Sequence, residues 1–269
     1  MSATTRARSA AGSARTSPVL RGLARAGFVA SAAIHIALGL LALRVALHQS
    51  ARSDQSGAIQ EVGKLPGGPV LLWVMTVGLF GLALWLVLAA VFAVGAQDSK
   101  RWSRILQNAG KAAAYAALAF TALAFARGSS SDSRTATESA SSDVLKMPGG
   151  QVLLVLVGLI ATGVGVYMIV KGARRGFRKD LAMPSGTAGT VVSALAIVGY
   201  VAKGIAVVAV GVLFIVAAVT LDPGRASGLD GGLRALTSIP FGRILLVLIA
   251  IGLVAFGIYT FVRARYARL

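Results

Sequence analysis

LPGGPVLLWVMTVGLFG (Leu65–Gly81), MPGGQVLLVLVGLIATG (Met147–Gly163) and IPFGRILLVLIAIGLVA (Ile239–Ala255) are three writings of one segment in a single chain. Set in register on Pro66, Pro148 and Pro240, they align Gly68, Gly150 and Gly242 two positions on, and Trp85, Tyr167 and Tyr259 nineteen positions on. The stretches before them align through Gly27, Gly110 and Gly199, each followed twelve residues later by a small residue, Gly39, Ala122 or Gly211. Glycine and proline stand 39, 38 and 41 residues apart. The unit therefore reads as a helix, a loop and a second helix, used three times. The divisions are repeat 1 over 21–97, repeat 2 over 98–180 and repeat 3 over 181–269, after a basic tail over 1–20 that reads as disordered.

Composition says what surrounds the unit. A chain of 269 residues that is 56% hydrophobic and 13% charged, with a mean hydropathy of +0.78, has too little polar surface to cover a soluble globule. Uncharged runs extend over Ala26–Leu43, Leu65–Gln97, Ala112–Ala126, Met147–Val170, Leu181–Leu221 (interrupted by Lys203) and Ile244–Val262. A bilayer core takes about 20 apolar residues of helix, so six spans follow. The third run has 15 residues between Lys111 and Arg127. At 1.5 Å per residue it covers roughly 22 Å and needs snorkelling ends. The fifth is too long for one upright span and too short for two, and reads as one tilted or extended helix. The expected fold is all-α: an integral membrane protein of six transmembrane helices, arranged as three tandem helical hairpins. Each hairpin has two spans, so all three share one orientation and a pseudo-threefold axis along the membrane normal.

Each repeated position has a physical reading. Proline is tolerated in the first turn of a helix, so Pro66, Pro148 and Pro240 mark helix starts at one membrane face. An aromatic nineteen residues later lies roughly 28 Å along the axis, which sends Trp85, Tyr167 and Tyr259 to the opposite interface. Gly27, Ser31, His35 and Gly39 lie on one helical face at four-residue steps, a seam for close packing where lipid removes the hydrophobic drive.

Charge sets the expected orientation. The N-terminal tail, the second and fourth loops and the C-terminal tail hold 17 of the 27 basic residues, against Asp98 and Asp180 alone. The opposite side carries nine basic and seven acidic residues. Short basic loops resist translocation, so both termini are expected in the cytoplasm and the protein in the cell's inner (plasma) membrane. The +18 net charge is spread over short loops, with no zinc-finger spacing, RNA-binding motif or basic domain, and gives no case for nucleic acid as a partner. The expected partners are membrane lipids, their anionic headgroups at the cytoplasmic face, with a membrane protein as a further candidate. Gly128–Asp143, rich in serine, reads as an external solvated connector.

No catalytic set is visible. Absence of cysteine excludes disulfides, iron–sulfur clusters and thiolate sites, and His35 and His48, 13 residues apart, would point roughly 140° apart on one helix. The motifs of metalloproteases, serine hydrolases and phosphate-binding loops do not occur, and no cofactor or metal is expected. What remains is polar residues within the spans. Lys203 interrupts an apolar run, within snorkelling reach of the cytoplasmic surface, and His35 lies nearer the membrane middle. Both, with Ser31, are the candidates for a pathway, and each has a plain alternative: a snorkelling lysine, and a histidine bonded to a neighbouring carbonyl. No carboxylate lies within a span, which speaks against proton or sodium coupling.

GFVASAA at Gly27, GYVAKGI at Gly199, GGLRALTSIPFGRILL at Gly231 and AFGIY at Ala255 together resemble the bacterial integral-membrane family known as domain of unknown function twelve-oh-six, over Arg21 to Leu269. The resemblance implies six spans in a tandem threefold unit and brings no activity. Lys203 and Gly204 follow the third motif where unit one has Ser31 and Ala32, and unit two Ala114 and Tyr115, which weakens any threefold ring of charges. Two readings follow: a non-enzymatic membrane component acting through partners or lipids, with a dry centre, and a small-solute or ion pathway along the axis.

Overall fold

The computed structural model describes residues 17–47, 51–94, 101–129, 132–182 and 185–267, with the side chains of 92–94 excepted. His48 and residues 1–16 of the tail lie outside them. Among the described residues the chain is helical, with no strands and one isolated bridge between Leu181 and Ala267. The described residues form nine α-helices in chain order: α1 (Pro18–Ala46), α2 (Gln55–Gly63), α3 (Gly68–Val94), α4 (Arg101–Ala126), α5 (Ser133–Leu145), α6 (Gly150–Ala173), α7 (Gly186–Thr220), α8 (Gly228–Thr237) and α9 (Gly242–Tyr266). Six of these, α1, α3, α4, α6, α7 and α9, are long and apolar enough to cross a membrane. They are three tandem pairs, with one short helix between the members of each pair.

Four sequence expectations change. Residues 18–20, assigned to the tail, form the first turn of α1, because Pro18 has the fixed φ and missing donor that a helix start tolerates. The third span is 26 residues of α4, about 39 Å, since the helix continues below its apolar run through Arg101–Lys111. Most of the serine-rich connector is α5, capped by Asp132, whose carboxylate accepts from the backbone N–H of Arg134 and Thr135. The loop in every repeat thus carries a helix. The fifth span, by contrast, is the single helix expected, 35 residues and about 52 Å long.

The fourth change concerns the prolines. Each stands two residues ahead of its helix, in a tight turn. Gly68 donates its N–H to the Leu65 carbonyl, Gly150 to that of Met147 and Gly242 to that of Ile239, at 2.7, 2.9 and 3.0 Å. With proline second, and Gly67, Gly149 or Phe241 third at φ of 76°, 75° and 59°, this is a type II turn written three times. The third position asks for glycine, and repeat 3 supplies an exposed phenylalanine instead. Phe241→Gly should therefore stabilise the protein by about 1 kcal/mol, read as a rise in thermal midpoint in detergent. An unchanged midpoint would show that no strain is held there.

The order in which the spans touch is not the order of the hairpins. α3 packs on α4, α6 on α7 and α9 on α1, so the closest interfaces join one repeat to the next. Within repeats, α1 packs on α3 and α7 on α9, but α4 and α6 barely touch. The spans form an arc, α6–α7–α9–α1–α3–α4, whose two ends are the two halves of repeat 2. Backbones approach closely along α6 and α7: a Cβ on Gly158 would lie 2.7 Å from the Gly211 carbonyl oxygen, and one on Gly165 2.7 Å from that of Gly204. Small residues are how helices pack tightly in lipid, where dispersion replaces hydrophobic drive.

At the end opposite the termini, the short helices lock together. Asp230 on α8 is buried and accepts the Ser53 N–H at 2.8 Å and the Arg234 Nε at 2.8 Å, with Arg134 of α5 at 3.7 Å. Ser133 donates its N–H to the Ser56 hydroxyl, and Arg52 reaches Asp132 at 3.2 Å. Under this cap lies the main apolar core, with Ile34, Ile59, Leu79, Leu233, Leu246 and Ile249 among its most buried members.

Candidate functional site

The end of the bundle that holds both termini is built differently. Lys171 ends α6, Arg263 ends α9, Lys203 lies mid-way along α7, and Lys111 lies on the lower half of α4. Of the described carboxylates, Asp180 alone lies at this end, in the 3-10 turn Gly176–Asp180 after α6. Lys171 Nζ donates to it at 2.7 Å. Burial alone would push the Asp180 carboxyl up, but the Lys171 hydrogen bond and charge, with Arg263 and Lys111, outweigh it and hold the group below its ordinary value. Lys111 is in turn within electrostatic reach of Lys171 and Arg263, and Lys203 of Arg263. Three cations, Lys111, Lys171 and Arg263, thus converge on one described carboxylate, with Lys203 behind Arg263.

Aromatic faces take the place of the missing counter-ions. Lys203 Nζ lies 4.4 Å from the centre of the Phe256 ring, Arg263 4.7 Å from that of Phe28 and Lys171 5.5 Å from that of Tyr200. Each such contact contributes about 0.5–2 kcal/mol, less than a buried carboxylate would. Phe177, Tyr200, Phe256 and Tyr259 form a continuous stack beneath, with ring centres 5.2–5.9 Å apart. The buried Arg263 Nε has no hydrogen-bond partner.

His35 and Lys203, 168 residues apart in sequence, meet here. Lys203 Nζ donates to His35 Nε2 at 2.8 Å, and His35 Nδ1 donates to the Ser31 carbonyl oxygen at 2.6 Å. These partners require the neutral ring with its proton on Nδ1. Ser31 is fully buried, and the His35 ring packs 4.8 Å from that of Phe256. The polar residues of the spans therefore converge in close packing. Two pockets, of about 270 and 340 Å³, lie instead at the short-helix end, beside Arg52 and Glu61 and beside Asp143 and Pro223.

The repeated aromatics have three different settings. Trp85 is half-buried, Tyr167 is 48% exposed and Tyr259 is completely buried. Tyr259 corrects the expected headgroup-facing position, because the 3-10 turn carrying Phe177 folds over it. The motif glycines also diverge. A Cβ on Gly27 would strike the Gly78 carbonyl of α3, and one on Gly199 would lie 2.6 Å from the Phe256 Cα of α9. Beside Gly110 there is open space. The same inequality holds on the partner helices. Twelve residues after the motif proline stand Gly78, Ile160 and Gly252; sixteen after stand Leu82, Val164 and Phe256. In repeats 1 and 3 these residues meet the odd helix, whereas Ile160 and Val164 are 66% and 48% exposed. Sequence reasoning passed over Ile160, although an isoleucine where its counterparts have glycine was the legible sign of an open hairpin. It also passed over Lys111, Lys171 and Arg263 as a group, having read them only as topology signals.

Gly110→Leu should consequently change stability by no more than about 0.5 kcal/mol, and Gly199→Leu should cost about 2–3 kcal/mol. Thermal unfolding of the two variants in one detergent tests this, and equal losses would mean that the middle hairpin is closed.

The family model Domain of Unknown Function (DUF1206) matches the chain three times, at residues 26–93, 106–175 and 198–267. The chain belongs to this family. Each match holds one odd span, its short helix and one even span, so the DUF1206 unit is the repeated hairpin. The chain is also 33% identical over 258 residues to the Uncharacterized protein YxxB of Bacillus subtilis (strain 168), covering 93% of this chain and 92% of that one. No solved structure matches. The DUF1206 unit is shared by all three repeats, whereas the basic cluster is assembled unequally from them. At the position twenty-three residues after the motif proline, the units carry Ala89, Lys171 and Arg263.

Proposed function

We propose that this DUF1206 member is a non-enzymatic, multi-pass protein of the cell's plasma membrane, with both termini cytoplasmic, that acts by holding anionic lipid headgroups and membrane partners. The observation that carries the reading is the convergence of Lys111, Lys171 and Arg263 on Asp180, the one carboxylate described at this end, with Lys203 beside Arg263. Cations at a membrane surface attract anionic lipid by about 1 kcal/mol each, and here aromatic faces hold Lys171, Lys203 and Arg263 in place. Solute passage along the axis is the competing reading. The close packing of Ser31 and His35 favours lipid binding over it.

The test is lipid retention. Protein reconstituted in vesicles of equal phosphatidylglycerol and phosphatidylcholine, then extracted in mild detergent, should keep phosphatidylglycerol in clear excess by native mass spectrometry. Equal retention of the two, or flux of a solute lost on His35→Ala, would overturn the reading. Orientation is checked separately in a chain that has no cysteine. Ser139→Cys should react with an impermeant maleimide in intact cells, and Lys179→Cys only after permeabilisation.

A further inference from the structure

We propose that the open seam between α4 and α6 is the binding site for one anionic phospholipid, entering sideways from the membrane, its phosphate held between Lys111 and Lys171 and its acyl chains against Ile160 and Val164. This rests on the lipid-binding reading above and deepens it by naming the ligand, the entry and the residues.

Two independent observations meet at this place. The first is geometric. Repeat 2 is the hairpin whose helices do not pack on each other, α4 being held by α3 and α6 by α7. The seam therefore exposes Ile160 and Val164, whose counterparts meet the odd helix in the other repeats, and leaves open space beside Gly110. Ile160 and Val164 lie mid-way along a helix apolar and long enough to span a membrane, where the neighbouring medium is acyl chain. The second is electrostatic. Lys111 on α4 and Lys171 on α6 stand on the two sides of the seam at the termini end, within electrostatic reach of each other. They repel. With Arg263 behind them, three cations face Asp180, so among the described residues positive charge exceeds negative at this place.

A ligand that satisfies both features must be apolar along its length and anionic at one end. A second copy of this chain presented by the same seam would bring lysine to lysine, and a free phosphate would leave the apolar flanks uncovered. An anionic phospholipid meets both requirements. Its phosphate turns the Lys111–Lys171 repulsion into two charge-assisted hydrogen bonds. Filling the seam also gives Gly110, Ile160 and Val164 the van der Waals partners that their counterparts find on protein.

Native mass spectrometry of the full chain in detergent, titrated with dioleoyl phosphatidylglycerol, tests the proposal. One lipid should bind at least about tenfold more tightly than dioleoyl phosphatidylcholine, a difference that corresponds to about 1.4 kcal/mol. Lys111→Gln with Lys171→Gln should abolish the preference. Arg174→Gln with Lys179→Gln, which removes the same charge from exposed positions of the same loop region, should keep it. If the double seam variant fails to fold, the exposed Lys111→Gln alone should still lower the preference severalfold. A wild-type preference that survives the seam variants would overturn the seam while leaving lipid binding intact. Loss of preference in both double variants alike would mean general surface charge and also overturn the seam. Absence of any wild-type preference would overturn the underlying reading itself. Equal binding of a dihexanoyl analogue, or displacement by millimolar inorganic phosphate, would assign the site to a soluble anion and reject lateral entry.

Discussion

Asp230→Ala should be the most damaging single substitution at the short-helix end, costing about 2–3 kcal/mol. Its carboxylate is 3% exposed and accepts one backbone N–H from the α1–α2 connection and one guanidinium from its own helix, with Arg134 of α5 close by. Alanine would leave the Ser53 N–H without an acceptor and two arginines facing each other. The guanidinium groups are 43% and 47% exposed, so water compensates them in part, and the figure lies below that of a wholly buried pair. For a chain of this size the loss corresponds to a fall in thermal midpoint of roughly 5–10 °C. Asp230→Asn keeps one acceptor and should lose about half as much. A midpoint unmoved by the alanine would show that the three short helices hold together without this hub.

Gly150→Ala should do comparable harm for a steric reason. The residue closes the type II turn between α5 and α6, and a Cβ there would be driven into the Val144 carbonyl, with the Val144 carbonyl carbon 2.7 Å away. That neighbour is backbone, so no rotamer relieves it and the turn must open, at about 2–3 kcal/mol. Gly68 and Gly242 face the carbonyls of Gly63 and Leu236 in the same way, and alanine at either should behave alike. The control is Gly22→Ala on α1, where a Cβ meets nothing within 4 Å and helix propensity favours alanine. Detergent size-exclusion profiles and thermal midpoints read the comparison. Equal behaviour of Gly22→Ala and Gly150→Ala would remove the turn from any structural role.

How far the sequence could be read depended on the kind of interaction involved. The proline–glycine start was visible, but its purpose was taken for a helix first turn, because a type II turn and a helix N-terminus use the same residues for different reasons. The helix α5 was hidden by serine-rich composition. Its signs were the Asp132 cap and the Arg134–Glu138 pair at four-residue spacing. The burial of Tyr259 was invisible, since nothing local says that Phe177 will fold over it. His35 and Lys203 were singled out as exceptions to an apolar pattern, but their pairing across 168 residues was not legible.

Taken by itself, the sequence determined that this chain lives in lipid, how many spans it has and that one hairpin is used three times. Those properties depend on composition and period, which each segment expresses alone. Only the tertiary structure decided which spans embrace: the three most extensive interfaces join one repeat to another, and repeat 2 is left ajar between Lys111 and Lys171. The reason is that lipid solvates apolar helix faces as well as protein does. Partner choice therefore falls to the fit of two particular surfaces, a property that no single segment contains.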